Sequence, residues 1–158
     1  AGAAIGGGGR MRAAARGGAH GGRGAVRRRG GVALGIDYGS ADRGPRETLQ
    51  AGRRHGRHGV LDEPGQADIC AHVDFAQLVE AARSGGARVL GPVGQGAFLG
   101  ALGIATRAQA LQAAAPDQAE DIAGALSRLT DPAQMGTHFK VLAIADPAIA
   151  ALPGFGAA

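Results

Sequence analysis

Tryptophan is absent, tyrosine and cysteine occur once each, and aromatic residues make up only 3% of the chain. Each scarcity excludes something. A lone cysteine, Cys70, cannot build a disulfide framework, and a reducing cytoplasm is the default compartment. With so few rings, the core has to be assembled from Ala, Leu, Val and Ile. No run of about 18 apolar residues occurs, so no transmembrane helix is expected. No apolar stretch follows the first arginines, so the start does not read as a secretory signal. The sequence opens on Ala rather than Met, and a fragment or a processed product is the expectation. Lysine is nearly absent as well: of 17 cationic side chains only Lys140 is not an arginine.

Glycine and arginine are what the chain has in excess. Its 158 residues include 30 glycines, and the length allows one modest domain with a single core. The formal charge of +4 is unevenly spread. Residues 1–30 carry seven arginines and no acid, which leaves ten cations against 13 acids and a net of −3 elsewhere. Glycine this dense costs too much backbone entropy for a helix or strand, so a disordered tail is expected over 1–30. An RNA-binding role for it would call for interleaved aromatics, and the tail has none. A frame-shifted translation of GC-rich DNA would give the same composition.

The ordered part begins at "GVALGIDYG", residues 31–39. Val32, Leu34 and Ile36 alternate with small residues, which predicts a parallel strand covered on both faces. Asp37, Tyr38 and Gly39 then lie at its carboxyl end, the edge where open α/β sheets bind ligands. Turn formation is the competing role for Asp37 and Tyr38. Residues 40–71 read as a long loop with one short helix near "RETLQAGRRH". Asp74 predicts a helix cap, and Phe75, Leu78, Val79 and Ala82 give one apolar face. Gly85 or Gly86 ends that helix, and "ARVL" returns as a strand. Helices follow Gly96, with Phe98, Leu99 and Leu102 offered by the first. A later one starts at Pro116 and buries Ile122, Ala125, Leu126 and Leu129. "HFKVLAIAD", 138–146, is the last strand. Strand, connection, helix and strand in this order predict an α/β fold.

Three chemical motifs invite attention. Gly94, Gly96 and Gly100 in "GPVGQGAFLG" fit only G-x-G-x-x-x-G, not the dinucleotide fingerprint, and no Lys-Ser/Thr pair follows. Tight packing is the expected role of these glycines. His55, His58, Cys70 and His72 form H-x2-H…C-x-H, ligand types that zinc accepts, set in an Arg-rich loop that reads as solvated, so no metal is expected. His72 lies two residues from Cys70, on the same face if the segment is a strand, which is too little for a nucleophile–base pair.

The order of segments resembles one family throughout. "GGVALGIDYG", "ETLQAGRRH", "PGQADICAHVDFAQL", "GPVGQGAFLGALGI", "LTDPAQMGTHFKVLAIAD" and "PGF" resemble the MidA-like class I S-adenosylmethionine-dependent methyltransferases over residues 30–155. The resemblance implies the C-terminal part of a Rossmann-like sheet. Strand five would be "GGVALGIDYG", strand six "ARVL" and an antiparallel strand seven "HFKVLAIAD", with a helical insertion over 96–136. The matching motif positions are Asp37, Tyr38 and Gly39, then His72, Asp74 and Phe75 in "HVDF", and Gln95 in "GPVGQG". Asp37, Tyr38 and Gly39 are the candidates for acceptor or cofactor contact, and no catalytic base is assigned. The family holds its donor in an E-x-G-x-G-x-G loop, with an acid after the second strand. No stretch of the 158 residues matches that loop, and Cys70 stands where the family usually has Thr.

The implied function is protein-arginine methylation linked to respiratory complex I assembly, with S-adenosylmethionine as donor. The implied acceptor is a protein, a complex I subunit among the candidates. Bacterial members would be cytoplasmic and eukaryotic ones mitochondrial. Without the donor loop, this chain alone is expected to be inactive. Two other readings stand beside it: a non-catalytic assembly module or decayed gene product, and nucleic-acid binding through the tail. An open sheet edge is expected where the earlier strands would lie.

Overall fold

The structure is a computed structural model that describes residues 31–42, 48–53 and 56–156. The Gly/Arg-rich tail, Arg46, Glu47 and His55 lie outside them. Two sheets and a helical layer make up the fold. The main sheet contains β1 (Val32–Ser40), β5 (Val73–Asp74), β6 (Arg88–Gly94) and β7 (Phe139–Ala145), in the order β5-β1-β7-β6. β7 is antiparallel to both of its neighbours, so β1 and β6 run the same way. Between β6 and β7 the chain inserts α2 (Gln95–Ala101), α3 (Ile104–Ala114), a 3₁₀ turn (Pro116–Gln118), α4 (Ala119–Thr130) and α5 (Met135–His138). This is the expected antiparallel last strand after a helical insertion.

β7 reads "FKVLAIA" and is apolar on both faces, as a central strand requires. Val141, Ala143 and Ala145 form one core with Leu90, Phe98 and Phe155. Leu142 faces the other way, into a core with Val73 and Phe75 under α1 (Phe75–Ser84). β1 has nearly the same apolar pattern but a different fate. Val32, Leu34 and Ile36 remain 41%, 48% and 44% exposed, so the strand is not covered on both faces. Its partner along Val32–Tyr38 is the antiparallel β7, and only Gly39 and Ser40 pair in parallel, with β5. Apolar alternation reports that a strand has a core-facing side, not that the cover is present.

α1 follows its sequence signals closely. The Asp74 carboxylate accepts the Gln77 N–H at 2.9 Å, which satisfies one of the free donors of the first turn. At the other end Gly86 has φ +75°, while Gly86 N–H donates to Arg83 O and Ala87 N–H to Ala82 O. That is the paired arrangement a left-handed glycine allows. Phe75 and Ala82 are buried, and Leu78 and Val79 pack beside them. Asp74→Ala is expected to cost about 1 kcal/mol and Asp74→Asn a few tenths, measured by urea unfolding. Equal losses for the two variants would remove the capping role.

The segment 40–71 departs from expectation. In place of a loop with one helix it holds a small antiparallel sheet. Its strands are β2 (Gln50–Arg53), β3 (Gly56–His58) and β4 (Asp68–Cys70), in the order β3-β2-β4. Strands of three or four residues are too short to show alternation, and Gly52 and Gly56 in place of apolar residues remove the remaining signal. Two helical readings shift as well. Leu102 lies past the end of α2 and is exposed. α4 starts at Ala119, after the turn begun by Pro116, and Ile122, Ala125, Leu126 and Leu129 are half-buried.

Candidate functional site: a cleft at the strand ends

The glycines of "GPVGQGAFLG" separate into packing and open positions. A Cβ at Gly96 would lie 2.4 Å from Thr130 O, and one at Gly94 would lie 2.9 Å from Gly136 O. Gly94 at the end of β6 and Gly96 in α2 are therefore contact points with the end of the helical insertion. Gly100 has open space around it and has no such role. Gln95, 6% exposed, donates from Nε2 to Leu129 O at 3.0 Å. It ties the start of α2 to the end of α4. Neighbouring backbone thus approaches this turn closely at Gly94 and Gly96.

A cleft of about 450 Å³ opens elsewhere, at the carboxyl end of β1. Tyr38, Gly39, Ser40 and Asp42 form one wall, His72 another, and Thr137, His138 and Lys140 the third. Because β7 is antiparallel, its first residues reach the same edge as the last residues of β1. Lys140 lies in register with Asp37 on one side and with Gly94, the end of β6, on the other. The cleft thus sits at the carboxyl ends of the two parallel strands, where α/β sheets hold ligands.

Tyr38 is the hub. Its ring meets His72 edge-on at 5.4 Å and Phe139 at 5.6 Å, between centroids. A hydrogen bond to the Cys70 side chain, then burial and the charges of Cys70 and Asp37, push the phenol up to about 12. A raised acid pKa means that the folded state holds the proton more tightly. The associated stabilisation is complete below the ordinary value of 10 and is lost as pH rises through about 12. Tyr38 therefore enters neutral-pH chemistry as a phenol, not as a base. As the chain's one tyrosine, with no tryptophan, it can be titrated by near-ultraviolet tyrosinate absorbance without interference. Cys70→Ala is expected to move the midpoint down toward 10, and an unmoved midpoint would remove the Cys70 contact.

The other candidates separate. Asp37 turns an oxygen back to the Tyr38 N–H, at 2.7 Å. Gly39 is small because β5 crosses it closely: a Cβ there would lie 2.1 Å from Val73 O and 3.0 Å from the Phe75 ring. Phe75 is core, Asp74 is a helix cap, and Gln95 belongs to the helical insertion. His58 turns Nδ1 to Gly59 O at 2.9 Å, and its Nε2 lies 3.6 Å from Glu63, which also pairs with Arg53. It is not grouped with Cys70 and His72, and no three metal-ligating side chains come together among the described residues. The sequence reading missed Ser40, Asp42, Thr137 and His138, whose residue types are unremarkable in strand-end loops. Lys140 had one available signal, as the single lysine in an arginine-biased chain.

Comparison with known proteins gives the site its context. Residues 18–93 match a family described as "Putative S-adenosyl-L-methionine-dependent methyltransferase". The protein arginine methyltransferase NDUFAF7 homolog, mitochondrial, of Drosophila melanogaster is 42% identical over 128 residues, covering 80% of this chain and 29% of that protein. The mouse protein arginine methyltransferase NDUFAF7, mitochondrial, is 38% identical over 117 residues, covering 73% and 26%. The chain belongs to the MidA-like S-adenosylmethionine-dependent methyltransferases. Two crystal structures of family relatives from Burkholderia thailandensis superimpose with TM-scores of 0.73 and 0.71, at 32% and 33% identity. They match 81% and 80% of this chain and 36% and 34% of their own, and the second is bound to S-adenosyl-homocysteine. The chain thus spans about three tenths of the curated methyltransferases it matches. No helix among the described residues is long and apolar enough to cross a membrane.

Proposed function

We propose that this chain is the acceptor-side portion of a protein-arginine methyltransferase that uses S-adenosylmethionine, and that it acts in respiratory complex I assembly. The observation that carries the reading is the cleft at the joint carboxyl ends of β1 and β6, in a chain 42% identical to a protein arginine methyltransferase homolog. No glycine loop of the family type occurs in the sequence, and Gly94 and Gly96 pack against Gly136 and Thr130 backbone. The chain's share is orientation of the acceptor. The Tyr38 phenol, the two imidazoles of His72 and His138, and the hydroxyls of Ser40 and Thr137 offer hydrogen bonds to an acceptor chain. Held by them, the acceptor nitrogen would sit where its attack can be in line. We assign residues 31–155 to the methyltransferase domain.

The test is a chimera. Residues 31–155 replace the matching segment of the Burkholderia thailandensis relative solved with S-adenosyl-homocysteine. Methyl transfer to arginine-containing protein is then read by mass spectrometry. Methylarginine, lost on Tyr38→Ala, is the expected result. Retained S-adenosyl-homocysteine binding with no methylarginine on any protein substrate would overturn the acceptor assignment.

A further inference from the structure

The cleft at the carboxyl ends of β1 and β6 has an uneven supply of hydrogen-bonding groups. Its hydroxyl protons are already committed. Ser40 Oγ donates to Asp42 Oδ2 at 3.4 Å, Thr137 Oγ1 donates to Pro132 O at 2.7 Å, and the Tyr38 phenol is hydrogen-bonded to the Cys70 side chain. What remains uncommitted carries N–H groups. Lys140 is half-buried, and its ammonium gives one of its three protons to Thr137 O. It has no carboxylate partner among the described residues. Asp37, directly across the ladder from it, turns an oxygen to the Tyr38 N–H instead. Asp42, the one acid among the described residues that line the cleft, takes the Ser40 hydroxyl. The imidazoles of His72 and His138 are exposed on two of the walls, and each carries an N–H in either tautomer.

We infer that Lys140 makes this cleft the docking point for an acidic side chain of the protein substrate, a glutamate or aspartate close in sequence to the methylated arginine. The inference rests on the reading above in taking the cleft to face the acceptor chain. The target arginine itself is a poor occupant of the same place. A guanidinium carries five donors and no acceptor, and it would bring like charge to Lys140. A carboxylate supplies the missing acceptors and the opposite charge, and such charge-assisted bonds are about twice as strong as neutral ones. Partial burial of Lys140 leaves the pair less screened than one on open surface. The cleft of about 450 Å³ has room for a side chain with its flanking backbone. Exposed residues on all three walls, Asp42, His72 and His138 among them, leave it open to a polypeptide lying across it. An extended chain advances about 3.3 Å per residue, so an acid within about three residues of the arginine keeps the guanidinium within ~10 Å of the cleft.

The test uses labelled peptides that carry one arginine and, at each flanking position in turn, glutamate or glutamine. Binding to the full 158-residue chain is read by fluorescence anisotropy. At low salt, one glutamate peptide is expected to bind about tenfold tighter than its glutamine twin, and the ratio should shrink as salt rises. Lys140→Gln is expected to bring the ratio near one, Lys140→Arg to keep most of it, and Lys140→Glu to favour a lysine peptide instead. Circular dichroism of each variant separates lost docking from lost folding, and the twins on the unaltered chain need no variant to fold. In the chimera described above, the glutamate preference should appear in KM rather than kcat, because the contact is made equally in the ground and transition states. Equal affinities for every glutamate and glutamine pair would overturn the inference. So would a preference that survives Lys140→Gln, or a Lys140→Gln variant that weakens both twins equally. Loss of S-adenosyl-homocysteine affinity in the Lys140→Gln chimera would overturn it too, by giving Lys140 to the carboxylate of the donor. A glutamate preference without methylarginine would support the docking and count against the acceptor assignment alone. Methylarginine formed equally well from both twins would do the reverse.

Discussion

Phe75→Ala is expected to destabilise the chain by about 3–5 kcal/mol, the range for truncating a buried ring to a methyl group. Phe75 is 1% exposed and starts α1, packed with Val73 and Leu142 on one face of the sheet. Few residues could compensate, because the chain has only four phenylalanines and no tryptophan. The loss is large against the 5–15 kcal/mol that typically separates native from unfolded states. Urea unfolding followed by circular dichroism measures it. A loss under about 1 kcal/mol would mean that α1 settles onto the sheet and closes the cavity.

Gly39→Ala is expected to cost about 3 kcal/mol, at the upper end of ordinary overpacking. The clash is with backbone, not with a flexible side chain: the new Cβ would lie 2.1 Å from Val73 O. Relief requires β5 to move off β1, which breaks the parallel pairing of Gly39 with Val73 and Ser40 with Asp74. His72 immediately precedes β5, so the edge-on contact between His72 and Tyr38 should loosen with it. Combining Gly39→Ala with Phe75→Ala separates the two clashes. Removing the ring relieves the 3.0 Å contact but leaves the carbonyl in place. The double variant should then fall short of additivity by only about 1 kcal/mol. Full rescue would show that the ring, not the backbone, demands glycine at this position.

The tyrosine hub also explains why Cys70 and His72 belong together without being a catalytic pair. Cys70 ends β4 and His72 leads into β5, and both approach Tyr38 from the connection between the two sheets. Each contacts the tyrosine, and neither is shown activating the other. The small sheet of β2, β3 and β4 thereby reaches Tyr38 through Cys70, while Arg53 and Glu63, which pair with each other, are not among the residues that line the cleft.

Elements governed by short-range rules were legible in the residues themselves. α1 could be read from Asp74, the Phe75–Leu78–Val79–Ala82 stripe and Gly86, because caps and a 3.6-residue period act within one helix. β7 could be read because a central strand needs apolar residues on both faces. The carboxyl end of β1 was marked as a candidate site by the general behaviour of α/β sheets, and the order of segments was enough to indicate the family. Three things were decided only by tertiary structure. The small sheet exists because strands too short to carry a pattern pair across a turn. The glycine requirements at positions 39, 94 and 96 come from carbonyls of distant segments, Val73, Gly136 and Thr130, which local sequence does not encode. The cleft assembles Tyr38, His72 and Lys140 from points up to about a hundred residues apart, because an antiparallel β7 returns its first residues to the edge where β1 ends.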